Sequence, residues 1–225
     1  MTERFDFHNE YLNRQLKRDF YSGIKGKIKK ELAKSGIESS GKRFNYNGGG
    51  MCESRTGEVN LSIQYRQLSE NEYKEYPRLW SGKNTLEETQ REWRTLDELI
   101  IQSNREKEKN IQLSNILPSG YKVFFAPHPS GWNKSSTSKV DCGDKVIYLY
   151  GDPAKLRFIA ELFHEAGHGT YYEEADSGER KAIDELYRRM SRQLRISQDD
   201  AARILRFERD AWSFAVRNLK TVLDL

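Results

Sequence analysis

Two histidines four residues apart, in a segment with helical periodicity, constrain this chain more than any other feature. They stand in His164-Glu165-Ala166-Gly167-His168, within AKLRFIAELFHEAGHGTYYEE. Residues i and i+4 of a helix stack on one face, so both imidazoles can reach one tetrahedral ion at about 2.0–2.1 Å. Glu165 follows the first histidine and can reach toward water on such an ion without being a ligand. The apolar stripe Leu156, Ile159, Ala160 and Phe163 continues onto His164, Gly167, His168 and Tyr171, which turns both histidines inward. Gly167 weakens the helix by about 1 kcal/mol relative to Ala, yet admits a close approach of another backbone or a substrate. The chain has four histidines and spends two of them here. A zinc site is therefore expected, rather than a solvated histidine pair.

A catalytic zinc takes three protein ligands and keeps a position open for water. The last helical segment supplies the third candidate. Its apolar stripe runs Ala201, Ile204, Leu205, then Ala211, Trp212, Ala215 and Leu219, and Glu208 falls on the same face. A carboxylate buried there needs a cation, and zinc would provide one; a buried salt bridge to an arginine is the other reading. Glu185, within DELYRRM, is the reserve ligand, while Glu173 and Glu174 are expected past the end of the histidine helix. Tyr171, Tyr172 and His128 are candidate contacts to substrate or to the developing oxyanion, with packing of the tyrosines in the core or the site wall as the alternative.

Around the site the pattern is mixed, and an α+β fold is expected. A helix is read over Asn9 to Lys34, a Gly-rich loop or hairpin turn over GKRFNYNGGGMCESRTGEV, and a half-exposed strand over VNLSIQYRQL. Thr85 and Glu88 form a capping-box pattern, and Trp93, Leu96, Leu99 and Ile100 recur at helical spacing, so a second helix is expected to about Lys107. YKVFFAP reads as a strand, His128 to Ser138 as a polar loop, and VDCGDKVIYLYG as one further strand ending at Gly151. Asp152 and Pro153 would then cap and open the histidine helix, with helices to follow over Ser177–Gln193 and Ser197–Leu223. The expected division is an accessory region over residues 1–110 and a catalytic unit over 111–225.

Composition narrows the function classes. Charged residues make up 32% of the chain and apolar ones 36%, with no uncharged apolar run near the roughly 18–20 residues that span a bilayer. MTERFDFHNEY lacks the apolar core of a secretory signal, so no membrane role and a cytoplasmic location are expected. Cys52 and Cys142 are far apart and expected to stay reduced. Much of the net charge of +4 sits in the Lys-rich first 43 residues. Contact with nucleic acid is the minor reading of that stretch, a solvated amphipathic helix the favoured one.

HEAGH, followed by Glu208-Arg-Asp-Ala211-Trp-Ser-Phe214-Ala215, resembles the ImmA/IrrE group of small gluzincin metallopeptidases. VIYLYG and DPAKLRFIAELF are similar to the strand that leads into that family's metal helix, and the resemblance covers roughly residues 112 to 220. Trp212 stands where the family commonly has a small polar residue. The resemblance implies a gluzincin-like unit of short strands, a metal helix and C-terminal helices, with zinc on His164, His168 and Glu208 and with Glu165 as acid/base. It further implies hydrolysis of a peptide bond in a protein partner, such as a transcriptional repressor, with a strand edge beside the metal helix, for example the one ending at Tyr150, holding the substrate. A general peptidase acting on peptides is a second enzyme reading. A structural-zinc regulator or nucleic-acid-binding protein without protease activity is the reading from another class.

Overall fold

The computed structural model describes residues 40–41, 50–56, 59–76, 79, 93–103, 112, 115–126, 138–153, 156–192, 194 and 196–223. The helix expected over Asn9–Lys34, the capping box at Thr85 and Glu88, and His128 lie outside them. The chain is α+β: among the described residues, a mixed seven-stranded sheet is followed by three C-terminal helices. The strands are β1 (Ser40–Gly41), β2 (Gly50–Thr56), β3 (Val59–Gln67), β4 (Arg94–Ser103), β5 (Lys122–Ala126), β6 (Lys139–Asp141) and β7 (Val146–Tyr150). The helices are α1 (Glu70–Glu75), α2 (Leu156–Glu174), α3 (Ser177–Ser191) and α4 (Gln198–Leu223). Sheet order is β1-β2-β3-β4-β5-β7-β6, antiparallel throughout except for the parallel β5–β7 pair. No helix among the described residues is long and apolar enough to cross a membrane.

The three C-terminal helices fall where the periodicity places them. The start of α2 differs: Pro153 lies in a turn, and the described helix begins at Leu156. Glu173 and Glu174 form its last turn instead of lying beyond it. Asp176 caps α3, its carboxylate accepting from the main-chain N–H groups of Gly178 and Glu179.

Three expectations for the sheet need correction. The segment expected to be helical to Lys107 is the strand β4 from Arg94 to Ser103. The reason is a bulge. Opposite Gln64 and Tyr65 the register slips, so that Leu96 pairs with Tyr65 and Leu99 with Ile63. One extra residue on β4 turns a three-residue spacing into partners two apart, and an i, i+3 pattern arises in a strand. Next, VDCGDKVIYLYG is a hairpin, not one strand. The Asp141 carboxylate accepts from the N–H groups of Gly143 and Asp144 at 3.1 Å each, and Lys145 takes φ 53°, so the chain reverses between β6 and β7. Last, the Gly-rich segment read as a loop or hairpin turn contains the strand β2, which pairs antiparallel along its length with β3, so its end is a hairpin.

Both faces of the sheet's centre are buried. β5 and β7 alternate Val123, Phe125, Ile147 and Leu149 into a core shared with the helices, and Phe124, Ala126, Val146 and Tyr148 into a second core with Leu68, Tyr73, Tyr76, Leu79 and Trp93. A strand covered on both sides reads as a continuous apolar run, which is how VFFA and VIYL appear. Because β4 pairs with β5, one sheet continues across residue 110.

Candidate metal centre

α2 and α4 cross at Gly167. A Cβ there would stand 2.9 Å from both Cα and the carbonyl oxygen of Ala211, so only glycine lets the two backbones come this close. The expected close approach is therefore made by α4. That contact brings Glu208, one turn before Ala211, over the face that carries both histidines.

Three donor atoms converge there. His164 Nε2 and His168 Nε2 are 3.1 Å apart, and Glu208 Oε2 lies 3.4 Å from the first and 3.7 Å from the second. Ligand atoms at about 2.0–2.1 Å from a tetrahedral zinc are separated by about 3.3 Å, so this triangle has the size of one face of such a site. His164 and His168 are buried, and the Glu208 side chain is 13% exposed. Among the described residues this is the group of His, Cys, Asp and Glu side chains close enough to share an ion. The residues fit zinc in donor type as well as in spacing, since two imidazoles and one carboxylate make up a catalytic zinc set.

Burial pushes the His164 pKa down, against the hydrogen bond and charge of Glu208. Burial alone would push Glu208 up, but its contacts to both histidines together outweigh this and hold its carboxyl well below the usual range. A carboxylate largely withdrawn from water is stabilised by a cation, which a bound metal would supply.

Glu165 is 6% exposed. Burial first, then the charges of Glu208 and Glu161, push its pKa well above the usual carboxylate value, opposed by a hydrogen bond from the main-chain N–H of Val140. Val140 belongs to β6, which runs beside α2; Ser138, just before that strand, donates to Glu161 at 2.8 Å. β6 is the outermost strand at this end of the sheet, whereas β7, ending at Tyr150, is flanked by β5 and β6. The strand edge beside the metal helix is therefore that of β6, and the one ending at Tyr150 is paired on both sides.

The remaining candidates are placed as follows. Glu185 is half exposed and held by Arg188 at 2.7 Å, outside the cluster, so the reserve ligand is not brought to the histidines. Glu173 accepts from the Tyr121 hydroxyl at 3.4 Å and pairs with Lys145 at 3.1 Å. The Tyr171 hydroxyl donates to Glu179 at 2.8 Å and that of Tyr172 to Asp184 at 3.0 Å, tying the end of α2 to α3. The Tyr171 ring also packs on Phe207 at 5.0 Å, and Phe207 on His168 at 4.4 Å, so Tyr171 is part of the site wall.

Sequence reasoning missed three participants. Phe207 continues the α4 stripe three residues after Ile204, a signal that was present in the spacing. The Val140 N–H is a main-chain group with no sequence signature. Tyr187 packs on Phe207 with ring centroids 6.1 Å apart, and burial first, then the charges of Glu208 and Glu165, push its hydroxyl pKa well above the ordinary value.

Fold and site together define an α+β chain with a buried His-His-Glu cluster and a second glutamate beside it. Comparison with known proteins adds no relative: no family model, no curated protein and no solved structure matches the chain.

Proposed function

We propose that the chain is a zinc-dependent metallopeptidase of the gluzincin type, with His164, His168 and Glu208 as ligands and Glu165 as general base and acid. The observation that carries this reading is the triangle of two imidazole nitrogens and one carboxylate oxygen, with edges of 3.1, 3.4 and 3.7 Å, beside a second, buried carboxyl group, that of Glu165. The three ligands found among the described residues leave a tetrahedral ion one open position, which favours catalysis over a structural zinc, for which four protein ligands are the rule. The resemblance of HEAGH and the Glu208 segment to ImmA/IrrE proteins supports the same assignment.

Zinc in this site would lower the pKa of water at the open position to about 7 and polarise a substrate carbonyl. With zinc held there, the Glu165 carboxylate would be placed to accept a proton from the attacking water and to return it to the leaving amine. The Val140 N–H holds that carboxylate in place, and the β6 edge is the strand along which a peptide substrate would lie. Of the tyrosines, Tyr187, whose ring packs on Phe207 with centroids 6.1 Å apart, is this reading's candidate donor to the developing oxyanion, since the hydroxyls of Tyr171 and Tyr172 are engaged by α3 carboxylates. The substrate is a peptide bond in a protein partner, a regulatory protein such as a repressor being the kind the resemblance implies.

Metal content by elemental analysis tests the reading. Wild type and Glu165→Gln should each carry about one zinc per chain, as expected for three ligands and a non-ligand base. His164→Ala and Glu208→Ala should lose it. If Glu208→Ala keeps zinc at wild-type affinity, the ligand set is wrong; a wild-type chain that binds none rejects the enzyme.

A further inference from the structure

Histidines that bind metals are ordinarily oriented through the ring nitrogen that does not bind, which donates to a carboxylate, carbonyl or water; loss of that partner typically costs about 10–100-fold in affinity. Here, among the described residues, no group hydrogen-bonds Nδ1 of His164 or of His168, although both atoms are buried. What meets each ring is an aromatic face. Trp212 stacks on His164 with centroids 4.3 Å apart and planes 29° apart, and Phe207 lies on His168 at 4.4 Å and 33°. Both come from α4, one residue before and four residues after Glu208, so a little over one turn supplies the carboxylate and both rings.

We infer that Trp212 and Phe207 are positioning residues of the metal centre, fixing the two imidazoles by ring stacking in the role that an Nδ1 hydrogen bond usually fills. The inference rests on the metal-site reading above. Neither side chain has a donor atom for the ion, so each acts through the histidine it covers. The indole is also retained against a cost: Trp212 Nε1 is buried and has no hydrogen-bond partner among the described residues. An unpaired buried donor of this kind costs free energy, which an aliphatic side chain in the same place would avoid. A flat ring offers what an aliphatic chain cannot. It allows its neighbour one orientation, and its negative face favours an imidazole that carries part of a cation's charge.

Zinc affinity measured by chelator competition on the full chain separates this role from ordinary core packing. Trp212→Leu should bind zinc about 10–100-fold more weakly than wild type, and Trp212→Phe, which keeps a ring, within about threefold of it. Phe207→Leu, on the other histidine, should lose about tenfold. Circular dichroism establishes that each variant is folded. Core packing alone predicts lower stability with unchanged affinity, so leucine variants that hold zinc as tightly as wild type overturn the inference. So does a Trp212→Phe variant as weak as Trp212→Leu. If Trp212→Leu does not fold, Phe207→Leu and Trp212→Phe decide between the same outcomes. A wild-type chain that binds no zinc removes the metal site and this inference together, whereas wild-type binding with unaltered variants removes only the inference.

Discussion

The two faces of the sheet are covered in different ways. On one, Leu68, Tyr73, Tyr76, Leu79 and Trp93 close over Phe124, Ala126, Val146 and Tyr148, with rings meeting edge to face, as for Tyr76 on Phe124 at 4.9 Å and Trp93 on Tyr148 at 5.8 Å. On the other, α2 and α4 close over Val123, Phe125, Ile147 and Leu149, and the same helices bury His164, Glu165 and His168 just beyond that apolar layer. The first arrangement is what apolar burial favours. The second sets ionisable groups side by side out of water, where each costs free energy unless it is paired or binds a cation. Both sides of the sheet carry an apolar core, and the candidate chemistry is confined to the helix side.

The largest expected effect falls on the aromatic face. Phe124→Ala should lower the unfolding free energy by about 3–5 kcal/mol, as for other fully buried aromatics, while zinc affinity of the folded fraction stays at the wild-type value. Urea denaturation with parallel chelator titration measures both, and a fall in affinity with stability would show the two faces to be coupled. An intermediate effect is expected where the helices cross. Gly167→Ala should gain up to about 1 kcal/mol from helix propensity, yet lose more through its contact with the Ala211 backbone, for a net destabilisation of about 1–3 kcal/mol. It should also weaken zinc binding, because Glu208 rides on the helix that is pushed away; a raised melting temperature would refute the close crossing.

The smallest effect lies at the rim, where the two arms of the Arg66 guanidinium donate to Glu72 at 2.7 and 2.8 Å. That hydrogen bond, against the effect of burial and with help from Ser69, brings the Glu72 carboxyl down to about 2. A depressed folded-state pKa stabilises above the unfolded value of about 4.3, and the stabilisation disappears as pH falls toward 2. Arg66 is 48% exposed, so solvent screening limits the pair to about 1 kcal/mol. Glu72→Gln, which preserves the capping geometry, should cost about that much at pH 7 and almost nothing near pH 2 in matched urea titrations. An equal cost at both pH values would mean that packing, not charge, holds the pair.

Helices and site were legible to different depths in the sequence. The 3.6-residue period alone places α2, α3 and α4, and it sets His164, Gly167 and His168 on one face. β4 was not legible, because its bulge gives a strand the spacing of a helix, and the slip is defined only against β3. The hairpin of β6 and β7 carried its turn residues in Asp141-Cys-Gly143-Asp144, but a run of β-branched and aromatic residues on either side concealed the reversal.

For the site, the i, i+4 histidines and the adjacent glutamate follow from helix geometry, which is local and therefore written in the sequence. Glu208 was favoured by its place on the apolar stripe of the last helix, with Glu185 in reserve, and the tertiary structure brings Glu208 but not Glu185 to the histidines. α4 closes onto α2 because Gly167 leaves room for Ala211, while α3 leaves Glu185 to solvent and Arg188. The stacking of Trp212 and Phe207 and the reach of the Val140 N–H to Glu165 likewise depend on contacts between segments distant in the chain. Local periodicity fixes the direction in which a side chain points along its own helix; packing decides what it meets there.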